Sequence, residues 1–136
     1  MNKWFSYKFQ DEDDHTVMVR GKERLENEIA SGKFKQRLEI SCFYDSDEAD
    51  FLPNEEVLSD LDLLEYDLEK ELSKGTKSIL ALSFTGARRR VWYVYTEDVR
   101  SAIFSINMAI APEVELQIIH EPDENWEFYK KFYHSK

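Results

Sequence analysis

Between residues 37 and 120 the apolar pattern changes period repeatedly, and this alternation limits the fold more than any other feature of the chain. Residues 37–44 repeat at every second position. Leu38, Ile40, Cys42 and Tyr44 share one side and Glu39, Ser41 and Phe43 the other, as in a half-buried strand. The polar stretch 45–54 then gives way to Val57, Leu58, Leu61, Leu64 or Glu65, Leu68 and Leu72, whose three- and four-residue spacing predicts an amphipathic helix. Pro53 with Asn54 marks its start and Gly75 its end. Residues 78–84 and 90–96 read as two strands joined by a hairpin over 85–89 that contains Gly86. Helical spacing returns at Val99, Ala102, Ile103, Ile106 and Ile110, opened by Glu97 or Asp98 and stopped by Pro112. A last strand alternates Val114, Leu116 and Ile118 over 113–120.

Strand, helix, strand, strand, helix, strand is the ferredoxin-like βαββαβ order. Right-handed crossovers predict 37–44 and 90–96 at the centre of its sheet. Two further strands, 4–9 and 16–20, precede this unit, with Gly21 read as a bend before a short helix over 25–30. An aromatic-rich helix follows over 124–133. The expectation is one α+β domain over 1–136, with a ferredoxin-like core at about 37–120, an N-terminal hairpin that extends or covers the sheet, and a C-terminal helix. Leu61, Leu64, Leu68, Ile40, Leu82, Ile106 and Ile118 should form one core.

A chain of 136 residues buries enough surface for such a core without staples. Its single cysteine, Cys42, excludes an internal disulfide and a cysteine-based zinc site. There is no apolar run of the roughly 18 residues that a membrane helix needs, and the first residues lead into Asp and Glu rather than a leader core, so a cytoplasmic location with no membrane association is expected.

Three pieces of sequence carry a resemblance. Arg37-Leu-Glu-Ile-Ser-Cys-Phe-Tyr-Asp with Leu52-Pro-Asn-Glu-Glu, the hairpin Phe84-Thr-Gly-Ala-Arg-Arg-Arg-Val-Trp-Tyr-Val-Tyr-Thr, and the ending Asp123-Glu-Asn-Trp-Glu-Phe-Tyr together resemble the bacterial proteins grouped as domain-of-unknown-function family 695. The family ending is usually Asp-Pro-x-Trp, whereas here Pro122 precedes the Asp. The resemblance implies a small cytoplasmic α+β domain and carries over neither an activity nor a catalytic residue.

Elementary chemistry also names no reaction. His15, His120 and His134 lack metal-ligand spacing, and the acidic run Asp11, Glu12, Asp13, Asp14 lacks the pattern of a calcium loop and reads as a solvated turn. Cys42 reads as a small core hydrophobe. With only four glycines there is no phosphate-cradling loop. No catalytic, cofactor-binding or metal residue is assigned and no cofactor is expected.

The strand 90–96 would hold stacking aromatics in an RNA-recognition sheet. If Val91, Tyr93 and Tyr95 pack under the helices, only Trp92 and Phe43 reach the open face, beside Glu39, Ser41, Glu115 and Gln117. Those carboxylates and a net charge of −10 oppose phosphate, so direct nucleic-acid binding is not expected.

Residues 45–71 hold twelve acidic residues and one basic residue, Lys70. The expectation is a non-enzymatic module presenting Asp60, Asp62, Asp67 and Glu69 to a basic protein partner. The alternative is a small ligand-binding domain or hydrolase whose pocket uses Trp92, Tyr93, Tyr95 and Trp126. In the ending, Asp123 should cap the last helix while Trp126 and Tyr129 anchor it.

Overall fold

The computed structural model describes residues 3–136. Its elements in chain order are β1 (Trp4–Gln10), β2 (Thr16–Lys22), α1 (Glu26–Ala30), β3 (Gln36–Phe43), α2 (Glu55–Leu72), β4 (Ser78–Gly86), β5 (Arg89–Thr96), α3 (Val99–Ala109), β6 (Leu116–Pro122) and α4 (Glu127–Tyr133). The strands form one six-stranded antiparallel sheet in the order β1-β2-β4-β5-β3-β6. This differs from a four-stranded ferredoxin-like sheet taken alone. β2 hydrogen-bonds to β4 through the Met18–Thr85 to Gly21–Leu82 register, so the N-terminal hairpin widens the sheet instead of lying over it.

Each face of the sheet carries its own core, where one had been expected. On one face α2 and α3 bury Leu61, Leu68, Leu72, Ala102 and Ile106 against Leu38, Ile40, Cys42, Leu80, Trp92 and Val94, with Leu64 and Ile118 half-buried at the margin. On the other, α4 brings Trp126 and Tyr129 onto Leu82, Val91, Tyr93, Tyr95 and the hairpin's Phe5 and Val19. A β-bulge between Leu80 and Leu82 sends these two leucines to opposite faces, which a strict two-residue period cannot do.

The register of β3 on β5 corrects the facing assigned to the aromatics. Ile40 lies opposite Trp92 and Leu38 opposite Val94, so Trp92 is fully buried beneath the helices. Val91, Tyr93 and Tyr95 take the α4 side. Phe43 alone of the two expected open-face aromatics is exposed.

Two glycines serve close approach rather than turning. Gly21 lies inside β2, where a Cβ would stand 2.4 Å from the Phe5 ring. A Cβ on Gly86 would meet the Thr16 carbonyl oxygen at 2.7 Å. The left-handed residues of the β4–β5 turn are Ala87 (φ 53°) and Arg88 (φ 63°), the pair of positive φ values that a two-residue hairpin turn requires. Arg88 is held there by stacking over Phe51 at 4.0 Å.

Candidate functional site

Helix α2 begins where the Asn54 side chain accepts the Val57 N–H at 2.9 Å, and Glu55 and Glu56 occupy the first turn, where the helix dipole favours negative charge. Its buried stripe is Leu61, Glu65, Leu68 and Leu72. A carboxylate inside a leucine stripe needs partners, and Glu65 has several. It pairs with Arg20 at 2.5 Å, accepts the Trp92 indole N–H at 3.0 Å, and lies 3.6 Å from Arg90. Burial disfavours the charged form, but the Ser83 hydroxyl and the two guanidinium groups outweigh it and hold the Glu65 carboxyl below its ordinary value.

Asp62 and Glu69 flank Glu65 by three and four residues and so share this side of the helix. Asp62 pairs with Arg90 at 2.9 Å and Glu69 with Lys22 at 2.6 Å. The four acidic residues expected to meet a partner are therefore divided. Asp62 and Glu69 join the helix to strands β5 and β2, whereas Asp60 and Asp67 are exposed and form no ion pair with the described residues.

Where the hairpin runs beside α2, the sheet and helix enclose a cleft of about 670 Å³. Trp4, Met18, Leu58 and Tyr66 supply its apolar walls, and Arg20, Glu65, Ser83, Thr85 and Arg90 are among the polar residues lining it. Trp4, Arg20, Tyr66 and Arg90 are members of this cleft that no local pattern in the sequence marks. The aromatics proposed for a pocket sit elsewhere: Trp92, Tyr93, Tyr95 and Trp126 are all buried, so β5 offers no exposed stacking platform.

The C-terminal motif is a buried network. The Asp123 carboxylate accepts the N–H groups of Glu127 at 2.8 Å and Phe128 at 3.2 Å, the Tyr95 hydroxyl at 2.6 Å, and Arg37 at 2.8 Å. Burial opposes its ionisation, yet these donors hold the carboxyl below its ordinary value. Trp126 stands at the N-cap with φ 55°, outside the helix proper, and its indole donates to the Phe34 carbonyl at 2.9 Å. Burial pushes the Tyr95 hydroxyl well above its usual range, so it is a neutral donor. The Tyr129 hydroxyl donates to the Lys22 carbonyl, tying α4 to β2. Every member thus has a partner that explains it structurally.

At the β1–β2 tip, Asp11, Asp13 and His15 bring one ligand atom each within 4.8 Å of one another, a set that could hold a cation. The turn itself accounts for the closeness, because Asp11 Oδ1 accepts the backbone N–H groups of Asp13 and His15. Cys42 is buried in the α2–α3 core, and burial raises its thiol pKa. No helix among the described residues is long and apolar enough to cross a membrane.

Residues 2–133 match the Family of unknown function (DUF695), and the chain belongs to that family. No curated protein and no solved structure matches it.

Proposed function

We propose that this member of the DUF695 family is a non-enzymatic interaction module that presents the outer face of α2 to a basic protein partner. One observation carries the reading. Leu63 is 64% exposed, and Glu56, Asp60 and Asp67 lie seven and three residues before it and four after it, on the same helix face. None of the three carboxylates forms an ion pair with the described residues. An apolar side chain within unpaired like charge gains nothing for the monomer, whereas a basic segment with one apolar residue would bury the leucine and neutralise the rim. The acidic loop before the helix, with Asp45, Asp47 and Glu48, extends the same field.

The reading also takes residues 36–122 as a ferredoxin-like unit widened by the hairpin. The order β4-β5-β3-β6 within the six-stranded sheet supports it, with α2 and α3 on one face.

The test is the salt dependence of association. A lysine-rich amphipathic peptide with a single central leucine should bind the parent at a rate that falls steeply as ionic strength rises. A chain carrying Glu56→Gln, Asp60→Asn and Asp67→Asn should show a much shallower dependence, and Leu63→Ser should dissociate faster. Equal salt slopes for parent and variant would overturn the proposal.

A further inference from the structure

We propose that the cleft between the β1–β2 hairpin and α2 binds a small amphipathic carboxylate, whose acid group takes the place of Asp62 at Arg90. This site is separate from the outer face of α2. The cleft's volume of about 670 Å³ suits a small molecule, and Trp4, Met18, Leu58 and Tyr66 give an apolar body somewhere to lie.

The acid group is assigned by the arrangement around Arg90. Its side chain is only 3% exposed and is fixed from below, with Nε donating to Thr85 at 2.8 Å and Nη1 close to Glu65. The partner on the open side is different in kind. Asp62 is 58% exposed on the helix surface, and an ion pair with so wet a member is weak and exchangeable. A guanidinium held rigidly at the base of an apolar cleft, with a loosely held carboxylate as its outer partner, is a preorganised anion site with a built-in competitor.

The remaining charges agree. Lys8 and Arg20 also line the cleft, so three cations share its walls with the three carboxylates of Asp62, Glu65 and Glu69. Of the other lining carboxylates, Glu65 is shared by Arg20, the Trp92 indole and the inner side of Arg90, and Glu69 is paired with Lys22. Displaced from Arg90, the Asp62 carboxylate stays on the wet surface of the helix, where water screens it, and Arg90 trades one carboxylate partner for another; a neutral or cationic ligand gains nothing from Arg90.

The experiment titrates the full chain with hexanoate, hexanol and hexylammonium, which share one apolar body, and follows backbone amides of β1 and α2 and the Trp4 indole N–H by NMR. Trp126, sealed in the core on the other face of the sheet, serves as the internal control. Saturable shifts around the cleft are expected with hexanoate, and binding about tenfold or more weaker with the other two. Asp62→Asn removes the competitor and should strengthen hexanoate binding several-fold without helping hexanol. Tyr66→Ala should weaken hexanoate. Binding that ignores the head group, shifts that do not saturate, or an Asp62→Asn chain that binds hexanoate no better than the parent would each overturn the assignment. The triple variant at Glu56, Asp60 and Asp67 should bind hexanoate like the parent, so this site and the outer face fail or stand separately.

Discussion

The ring of Tyr95 lies 3.9 Å from that of Trp126 and within 8° of parallel to it, joining the middle of the sheet to the N-cap of the last helix. The same indole donates to the Phe34 carbonyl and meets Tyr129 edge-on at 5.5 Å. Removing it leaves a cavity beside Tyr95 and an unpaired carbonyl, so Trp126→Ala should destabilise the chain by about 3 to 5 kcal/mol. Denaturant unfolding measures this, and a loss under 1 kcal/mol would contradict the anchoring role.

Acid should act through two carboxyl groups. Asp123 and Glu65 both have their folded-state pKa values lowered, so their contribution to stability is fully present above the unfolded values near 4 and is lost as pH falls through the folded ones. Melting temperature should therefore decline below about pH 4 in the parent. In Asp123→Asn it should start lower and depend less on pH over that window. A variant that parallels the parent across the acid range would show that Asp123 is not among the groups titrating.

Glu65 holds two cations and an indole, and deleting it would strand Arg90 with Asp62 and Thr85 as its remaining partners. Glu65→Ala should cost about 3 to 5 kcal/mol, the usual consequence of breaking a buried charge network from one side. Glu65→Gln keeps an acceptor for Trp92 and should cost less. The order of the two variants in chemical denaturation is the check.

The acidic residues of α2 should separate by stability. Asp60→Asn and Asp67→Asn remove unpaired like charge and should shift stability by a few tenths of a kcal/mol at most, in the stabilising direction. Glu69→Gln weakens the hold on Lys22, which is buried, and should be measurably destabilising. Identical melting curves for Asp67→Asn and Glu69→Gln would contradict the division into free and paired carboxylates.

Gly21 and Gly75 should differ sharply on methylation of the backbone carbon. Gly21→Ala drives a Cβ into Phe5 and Leu82 and should cost about 1 to 3 kcal/mol. A Cβ on Gly75 meets nothing within 4 Å, and Gly75→Ala should be tolerated. Comparing their denaturation midpoints with the parent tests whether Gly21 is a packing residue inside β2.

Local periods in the chain encode the elements and their order. Two-residue and helical spacings placed six strands and four helices in the right order, because which face of an element is apolar is written in consecutive residues. Asn54 and Pro53 likewise announced α2, since capping is a contact among near neighbours. Whatever depends on how separate elements meet is set by long-range packing. The bulge at Ala81 reversed the facing of Leu82, and the register of β3 on β5 put Trp92 rather than Tyr93 under the helices. The pairing of β2 with β4 opened the cleft and delivered Arg20 and Lys22 to Glu65 and Glu69, 45 and 47 residues away in the chain. A carboxylate in a sequence looks the same whether it will face water or an arginine, because ion pairing is set by distances between elements and no local pattern records them.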